Sequence, residues 1–351
     1  MNSRERVKAI FGRRKADRTG FWLGMPLAES WLPYFAAVGL TEPGDRLPAL
    51  KEEGLQVLRE AVRVRLGDDY RWVWGPAGCY RHPAGKPMFD NPRSGSGHSA
   101  PGVLADCESA QQVHDFPWPN PDYFDFTLWL ANLRAAGDYY RASGFWCPFF
   151  HHVADLFGME NYFMKMLTHP EVIHAATRHI VDFYLEASRR FYGLAGTEMD
   201  GFFFGNDFGT QLDLLVGPAQ MREFVFPYFK QLTDQAHAHG YQVILHSCGA
   251  IHRVIPDLLA LGVDALHPLQ ARAAHMDAET LARDFGGQVA FLGGIDTQQL
   301  LVHGTPAEVR ADVRRVRRLL GPNLVISPSH EALLPNVPAA NVLAMAEAAG
   351  E

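Results

Sequence analysis

From about Tyr139 onward, short apolar segments alternate with segments of helical periodicity, and this alternation limits the possible folds more than any other feature. Segments such as MDGFFFGND and YQVILHSCG are typical of buried strands, whereas GPAQMREFVFPYFKQLTDQAHAHG and TPAEVRADVRRVRRLLG are typical of helices. Strands separated by helices at this spacing are expected to be parallel and joined by right-handed crossovers. Two architectures satisfy the pattern: a closed (β/α)8 TIM-type barrel and an open, doubly wound α/β sheet.

Polar residues directly follow the apolar run of one predicted strand after another. They are Asn206 and Asp207, His246 and Cys248, His267 and Gln270, Asp296, and the segment from Ser327 to His330. Barrel enzymes carry their chemistry at the carboxyl ends of many strands, whereas open sheets bind ligands mainly at one switch point. No G-x-G-x-x-G motif opens a helix after these strands, which weakens the dinucleotide-binding form of the open sheet. We therefore predict a single closed barrel.

The N-terminal part of the chain lacks this regular alternation. We expect one barrel domain over residues 1–351, in which 1–138 supply an irregular extension of helices, loops and early strands and 139–351 supply the regular β/α units. The segment LPALKEEGLQVLREAVRVRLG has the period of a helix. The segment HPAGKPMFDNPRSGSGHSAPG is rich in turn-forming residues and predicts either a long surface excursion or a β-hairpin.

Composition excludes several classes of protein. A net charge of -7 and the lack of a sustained basic run give no indication of nucleic-acid binding. The opening MNSRERVKAIFGRRKADRTGFWLG has no apolar core of the kind found in signal peptides and membrane anchors. Four cysteines in 351 residues do not form a disulfide framework. We therefore expect a cytoplasmic protein with reduced thiols that acts on a small molecule, away from membranes.

His246 and Cys248 are the clearest candidates for chemistry. Side chains at positions i and i+2 of a strand point to the same face, so both are expected to face the barrel axis at its mouth. Imidazole and thiolate suit zinc, whose catalytic sites take three protein ligands and leave one position open. The alternative is a hydrogen-bonded structural histidine beside a small buried cysteine.

Several segments, in the same order along the chain, carry a resemblance to a known family. They are SRERVKAIFGRRKADRTGFW, ILHSCGAIHRVIPDLLALGVDALHPLQ, FGGQVAFLGGIDTQQLL, GTPAEVRADVRRVRRLLG and ISPSHEALLPNVPAANVLAM. They resemble the uroporphyrinogen decarboxylase superfamily, and within it most closely the branch that contains cobalamin-dependent methyltransferases. The resemblance covers most of the chain and is strongest from Asp200 to the end.

This resemblance implies a (β/α)8 barrel and a set of metal ligands. In the methyltransferase members, an H-x-C pair and a cysteine near the last strand hold zinc. His246 and Cys248 match the pair, but no cysteine follows Cys248, and the corresponding region offers Ser327, Ser329 and His330. His330 is the expected replacement, because imidazole is a competent zinc ligand.

We also predict roles, around this metal, for the other polar residues at the predicted mouth. Asp207 is expected to be catalytic: it could complete the metal shell, orient a ligand or act as a general base, with capping of the strand end as the structural alternative. The remaining residues are predicted to bind substrate. They are Asn206, Gln211, His267, Gln270 and Asp296.

Three functions are compatible with these features. The first is zinc-dependent methyl or other one-carbon transfer, with methylcobalamin carried on a separate corrinoid protein, as the resemblance implies. The second is metal-free tetrapyrrole decarboxylation, although the namesake's arginine-containing motif near the N-terminus has no counterpart in RTGFWLGMPLAESW. The third is a non-catalytic barrel that binds a ligand or a metal. The polar mouth and the H-x-C pair favour the first.

Overall fold

The sheet is built from short strands that lie mostly in the second half of the chain. The computed structural model describes residues 1–41, 52–76, 78–89 and 100–351. In chain order the strands are β1 (Gly20–Phe21), β2 (Met25–Pro26), β3 (Tyr70–Trp72), β4 (Tyr140–Ser143), β5 (Gly201–Gly205), β6 (Gln242–His246), β7 (Ala265–His267), β8 (Ala290–Ile295), β9 (Leu324–Pro328) and β10 (Ala332–Leu333).

Eight of these strands form one parallel sheet that curves into a nearly closed barrel. Their order is β1-β9-β8-β7-β6-β5-β4-β3, so the strands from β3 to β9 are each paired with the next one along the chain. The last long strand returns to the first, with Gly20 opposite Val325 in the β1–β9 pair. A separate pair, β2 and β10, lies outside this sheet. The predicted (β/α)8 barrel is confirmed, and the open doubly wound sheet is excluded.

Two aspartates bridge the seam between β1 and β3. The Asp69 N–H donates to the Phe21 carbonyl oxygen at 2.8 Å, and the Asp69 carboxylate accepts the Phe21 N–H at 3.1 Å. The Asp68 carboxylate accepts the Leu23 N–H at 3.3 Å. Both aspartates are buried, and Asp69 is neutralised by an ion pair with Arg6. Where β1 and β3 are not paired as strands, these side-chain oxygens accept backbone N–H groups in place of the hydrogen bonds of a strand ladder.

Helices surround the sheet and connect its strands. They are α1 (Ser3–Phe11), α2 (Trp31–Ala37), α3 (Glu52–Arg65), α4 (Ala110–His114), α5 (Thr127–Ala135), α6 (Phe149–Phe157), α7 (Met159–Thr168), α8 (Pro170–Ala195), α9 (Pro218–Phe224), α10 (Phe226–Ala238), α11 (Ile255–Ala260), α12 (Ala278–Phe285), α13 (Leu300–His303), α14 (Pro306–Leu320) and α15 (Ala339–Gly350). No helix of the described residues is long and apolar enough to span a bilayer.

Helix α1 closes the end of the barrel opposite the polar mouth. It contacts β1, β3, β4, β8 and β9, and its side chains Val7, Ile10 and Phe11 are buried in the same cluster as Tyr70 and Tyr140. The barrel interior is therefore a packed core rather than a pore. The candidate functional residues lie at the carboxyl ends of the strands, away from this packed end.

The helix predicted for the segment before Gly67 is confirmed as α3. Residues 47–51 of the predicted segment lie outside the described residues. The turn-rich segment 82–102 is also only partly described, because residues 90–99 fall outside.

One prediction was wrong: the expected single helix after Gly217 is two helices, which meet at Val225. Pro227 has no N–H to continue the hydrogen-bond ladder of the first helix.

Candidate metal centre

Asp207, His246 and Cys248 converge just beyond the carboxyl ends of β5 and β6. The parallel register places Gly205 opposite His246, so the chain two residues further on brings Asp207 beside Cys248. The Cys248 N–H donates to Asp207 Oδ1 at 2.8 Å, which fixes the carboxylate in place. The candidate ligand atoms of all three side chains lie within 4.8 Å of one another.

The spacing of these atoms fits a zinc ion. His246 Nε2 lies 3.4 Å from Cys248 Sγ and 3.3 Å from Asp207 Oδ1. A tetrahedral centre with bonds of about 2.0 to 2.3 Å places its ligand atoms roughly 3.3 to 3.8 Å apart. Imidazole, thiolate and carboxylate are all zinc ligands, and three of them leave one position open. The donor set and its spacing therefore fit a catalytic rather than a closed structural zinc site.

The three groups perturb one another's protonation. Burial opposes charge on His246, but hydrogen bonds with Asp207 and Cys248 outweigh it and raise the pKa of the imidazole to about 10. Burial likewise opposes ionisation of Asp207, yet His246 lowers the pKa of that carboxyl to about 2. The pKa of the Cys248 thiol is lowered, because hydrogen bonds from His246 and His330 outweigh its burial. A metal bound here would therefore displace a proton mainly from His246.

The second nitrogen of His246 faces two further residues. His246 Nδ1 lies 3.0 Å from Nδ1 of His267 and 3.3 Å from Oε2 of Glu331. Burial and the neighbouring His246 place the pKa of His267 well below its ordinary value, so His267 is neutral. Glu331 Oε2 and His267 Nε2 are buried without a hydrogen-bond partner among the described residues. The Glu331 carboxylate and Nδ1 of His267 favour a proton on Nδ1 of His246, which leaves Nε2 to face Cys248 and Asp207.

His330 lies beside the thiol rather than inside the tightest group of ligand atoms. Its ring is 6.0 Å from that of His246 and nearly perpendicular to it. Its Nδ1 accepts the Ala332 N–H at 3.1 Å, which leaves the other ring nitrogen for Cys248. A hydrogen bond with Cys248 raises the pKa of His330. The structure thus brings His330 to the cluster, and its role as third ligand stays a prediction.

Three of the residues predicted to bind substrate lie next to this cluster. His267 is buried behind His246. The Gln270 side chain accepts the Gly249 N–H at 2.7 Å and so holds the turn that follows Cys248. Asn206 is also buried, and it holds the loop after β4: its amide donates to the Cys147 carbonyl oxygen and its oxygen accepts the Phe150 N–H, both at 3.0 Å.

The other two predicted residues have no described contact with the cluster. Gln211 is exposed, and its carbonyl oxygen accepts the Ala274 N–H. The Asp296 carboxylate accepts the N–H groups of Gln298 and Leu300, an arrangement that caps the turn after β8. For these two residues, substrate binding stays a prediction without a described contact to support it.

Sequence reasoning missed several residues at the mouth. Glu331 directly follows His330, and a carboxylate next to a predicted ligand was the available signal. His151 accepts the Asp207 N–H at 3.0 Å, and Trp146 lies 5.1 Å from His246 between ring centroids. His151 was a candidate ligand from its place after a possible strand, whereas Trp146 gave no signal because it lies in the loop that follows β4. The strand β4 ends at Ser143, and Gly144 with φ near 100° turns the chain into a loop.

A cleft of about 580 Å³ opens on the other side of His330. Its lining is rich in amide side chains and consists of Gln270, Thr297, Gln298, Gln299, Val302, His330, Ala332, Leu334, Asn336 and Val337. None of these described residues is an arginine, a lysine or a carboxylate. The cleft therefore suits a neutral, polar ligand surface better than a polyanion.

A parallel (β/α)8 barrel with a His–Cys–Asp group at its carboxyl mouth defines the class: a barrel protein with a candidate catalytic metal centre. The model of the uroporphyrinogen decarboxylase (URO-D) family matches residues 143–351, which is more than half of the chain and includes the whole cluster. The chain therefore belongs to the uroporphyrinogen decarboxylase family.

Solved structures add support for the fold. A methyltransferase from Methanosarcina mazei superposes with a TM-score of 0.66, covering 100% of this chain and 98% of that chain at 16% sequence identity. At this level of identity the likeness shows a shared fold. No curated protein sequence matches the chain.

Proposed function

We propose that this protein is a zinc-dependent methyl (one-carbon) transferase that acts on a small molecule together with a corrinoid carrier, methylcobalamin, on a partner protein. The observation that carries the proposal is the convergence of His246 Nε2, Cys248 Sγ and the Asp207 carboxylate within 4.8 Å at the barrel mouth. The fold shared with a methyltransferase supports it.

Each member of the cluster has a distinct task in this proposal. His246 and Cys248 hold the metal, and His330, beside the thiol, is the third ligand. Zinc, when bound, would act as a Lewis acid that lowers the pKa of a substrate thiol or polarises another heteroatom. Asp207 is half-exposed beside His246 Nε2, and we assign its carboxylate to the remaining position, where it would orient the incoming substrate.

The neighbouring residues keep these groups in place. The Cys248 N–H and His151 hold Asp207 through its side chain and its backbone. Gln270 holds the turn after Cys248 through the Gly249 N–H. Such supporting hydrogen bonds keep reacting groups close to the productive geometry. Hydrogen bonds thus support the cluster both on the segment after β5 and on the segment after β6.

Metal-free decarboxylation of a tetrapyrrole is the competing function, because the family takes its name from that reaction. A polycarboxylate substrate requires cationic side chains to neutralise it. Of the ten described residues that line the cleft, none is an arginine or a lysine. The charge of the cleft therefore favours methyl transfer over decarboxylation.

Methyl transfer from methylcobalamin to a panel of small thiols tests this proposal. Loss of the methyl–cobalt absorption is followed with zinc-loaded protein and with the Cys248→Ser variant. The matched control is Cys107→Ser, a partly buried thiol whose surroundings include Lys165 rather than the cluster. We expect transfer by the wild type and the control and at least a hundredfold loss in Cys248→Ser, about the effect of removing a key catalytic group. Efficient release of carbon dioxide from uroporphyrinogen by metal-free protein would overturn the proposal.

A further inference from the structure

Three tryptophans, Trp72, Trp74 and Trp146, pack together on the side of the mouth formed by β3 and β4, and we name them the aromatic wall. Their ring centroids are separated by 4.0 Å for Trp72 and Trp74, 4.9 Å for Trp72 and Trp146, and 5.6 Å for Trp74 and Trp146. Trp146 also lies 5.1 Å from the ring of His246. The wall therefore borders the candidate metal centre directly.

The backbone holds Trp146 in this position at some cost. Cys147 adopts φ of 44°, a left-handed conformation that is unfavourable for a residue other than glycine. Asn206 secures this turn through the Cys147 carbonyl oxygen, and the Gly205 N–H donates to the Trp146 carbonyl oxygen at 2.9 Å. A Cβ at Gly205 would lie 2.0 Å from Trp146 Cζ2, so the indole packs directly on the glycine. Strained, over-determined backbone of this kind is typical of functional sites.

The wall is open to a ligand. Trp74 is 44% exposed, so part of its indole can meet a ligand. In the described part of the chain the arginines that lie over aromatic rings are on Trp31, Tyr139 and Tyr228, and none is on the wall. The three indoles pack on one another, so the exposed part of Trp74 is the part of the wall that a ligand cation can reach.

Two carboxylates and the imidazole of His246 lie next to the wall, so the acidic groups outnumber the basic one. The Asp207 carboxylate is 3.3 Å from His246 Nε2, and the Glu331 carboxylate is 3.3 Å from His246 Nδ1. The cleft on the other side of the cluster is lined by no arginine or lysine. Aromatic faces attract cations through the ring quadrupole, and nearby carboxylates add to that attraction.

We infer that the aromatic wall is a binding subsite for a methylated onium group, a trimethylammonium or a trimethylsulfonium-type cation. The inference rests on the proposed function, since the wall would place an onium methyl group beside the transfer centre. Quaternary ammonium ions are recognised by aromatic rings in this manner, because they offer diffuse positive charge with no N–H to hydrogen-bond.

Calorimetric binding of choline and of 3,3-dimethylbutan-1-ol, its uncharged isostere, to the full-length protein tests the inference. Choline should bind at least about tenfold more tightly than the isostere, because the charge alone supplies the cation–π attraction. Trimethylsulfonium and tetramethylammonium show which onium is preferred, and binding of either above the isostere supports the subsite. Equal affinities for choline and its isostere, or binding of anisole with no binding of choline, would overturn it.

Substitutions in the wall locate the subsite. Trp74→Leu should weaken choline binding about fivefold or more, and Trp146→Phe, which keeps a ring on Gly205, should weaken it less than Trp146→Leu. The control is Trp118→Leu, at a ring that stacks on His179. Undiminished choline binding in both Trp74→Leu and Trp146→Leu would place the site elsewhere and contradict the inference.

The inference and the proposed function can fail separately. Choline binding is measured on metal-free protein without any corrinoid, so it does not depend on turnover. Charge-dependent binding at the wall without methyl transfer to any thiol would refute only the proposed reaction. Methyl transfer by a protein that does not distinguish choline from its isostere would refute only the onium subsite.

Discussion

His246 Nδ1 lies 3.0 Å from Nδ1 of His267, so the imidazole that presents Nε2 to the thiol is held from behind by a second, buried imidazole. The parallel register explains the contact, because His246 and His267 are opposite each other on β6 and β7. Residues in this relation orient a metal-binding histidine and fix its tautomer. We therefore expect His267 to act as a positioning residue for the candidate metal centre.

Replacing His267 by phenylalanine should lower zinc affinity about 10- to 100-fold, because the substitution removes the acceptor behind His246 and keeps an aromatic ring in the core. Competition with a chromogenic chelator measures the affinity. His267→Gln, which can offer an oxygen at that position, should lose less, and His303→Phe at an exposed position should bind zinc like the wild type. Equal affinity in all variants would contradict the positioning role.

Cys248 should be the first cysteine alkylated in metal-free protein at neutral pH. Its thiol pKa is lowered by hydrogen bonds that outweigh burial, whereas burial raises the pKa of Cys79, Cys107 and Cys147. A lower pKa means more thiolate and faster reaction with iodoacetamide. Mass spectrometry of partly alkylated protein identifies the site. Zinc should protect Cys248, and His246→Ala should slow its alkylation; faster reaction at Cys79 or Cys107 would be inconsistent with this account.

The core of the site could be predicted from the sequence because it depends on short-range geometry. His246 ends β6 and Cys248 follows two residues later, while Asp207 follows the end of β5 by two residues. In a parallel sheet, adjacent carboxyl ends meet, as the pairing of Gly205 with His246 shows. The barrel itself followed from the strand–helix alternation, which is a local pattern with few topological solutions.

The surroundings of the site could not be predicted in the same way, because they depend on packing between distant segments. His267 was expected at the mouth but is buried behind His246, since the two strands stop at the same level. The aromatic wall combines Trp72 at the end of β3, Trp74 just after it and Trp146, which enters the wall because β4 ends early at Ser143. Neither the early end of β4 nor the contacts among the tryptophan rings produces a periodic pattern in the sequence.

Gly205→Ala should destabilise the protein and displace Trp146. A Cβ there would lie 2.0 Å from the indole, so either the ring or the strand must move, at a cost of about 1 to 3 kcal/mol of unfolding free energy. Gly193→Ala, within helix α8 and with no atom within 4 Å of the new Cβ, should instead be neutral or stabilising by about 0.5 to 1 kcal/mol. Urea unfolding compares the two; similar changes in both would show that Trp146 is not held against Gly205.

Asp69→Ala should be among the most destabilising single substitutions. The carboxylate is fully buried, pairs with Arg6 and Arg18, and accepts the Phe21 N–H across the barrel seam. Its removal leaves Arg6 with Asp17 as its remaining carboxylate partner and the buried Phe21 N–H without its acceptor, which together cost about 3 kcal/mol. Asp182→Ala, which breaks an exposed helical pair, should cost less than about 0.5 kcal/mol. Comparable midpoints of urea unfolding for the two variants would show that the seam does not depend on Asp69.

The zinc content of matched variants tests the central claim most directly. Protein prepared with zinc and dialysed without chelator is analysed by mass spectrometry for metal per chain, with Cys107→Ser as the control. We expect one zinc in the wild type and the control, none in His246→Ala and Cys248→Ser, and severely weakened binding in His330→Ala. Full zinc in His330→Ala would show that the third ligand is wrongly assigned. Equal zinc content in wild type, His246→Ala and Cys248→Ser, or none in any sample, would contradict a metal centre at this mouth.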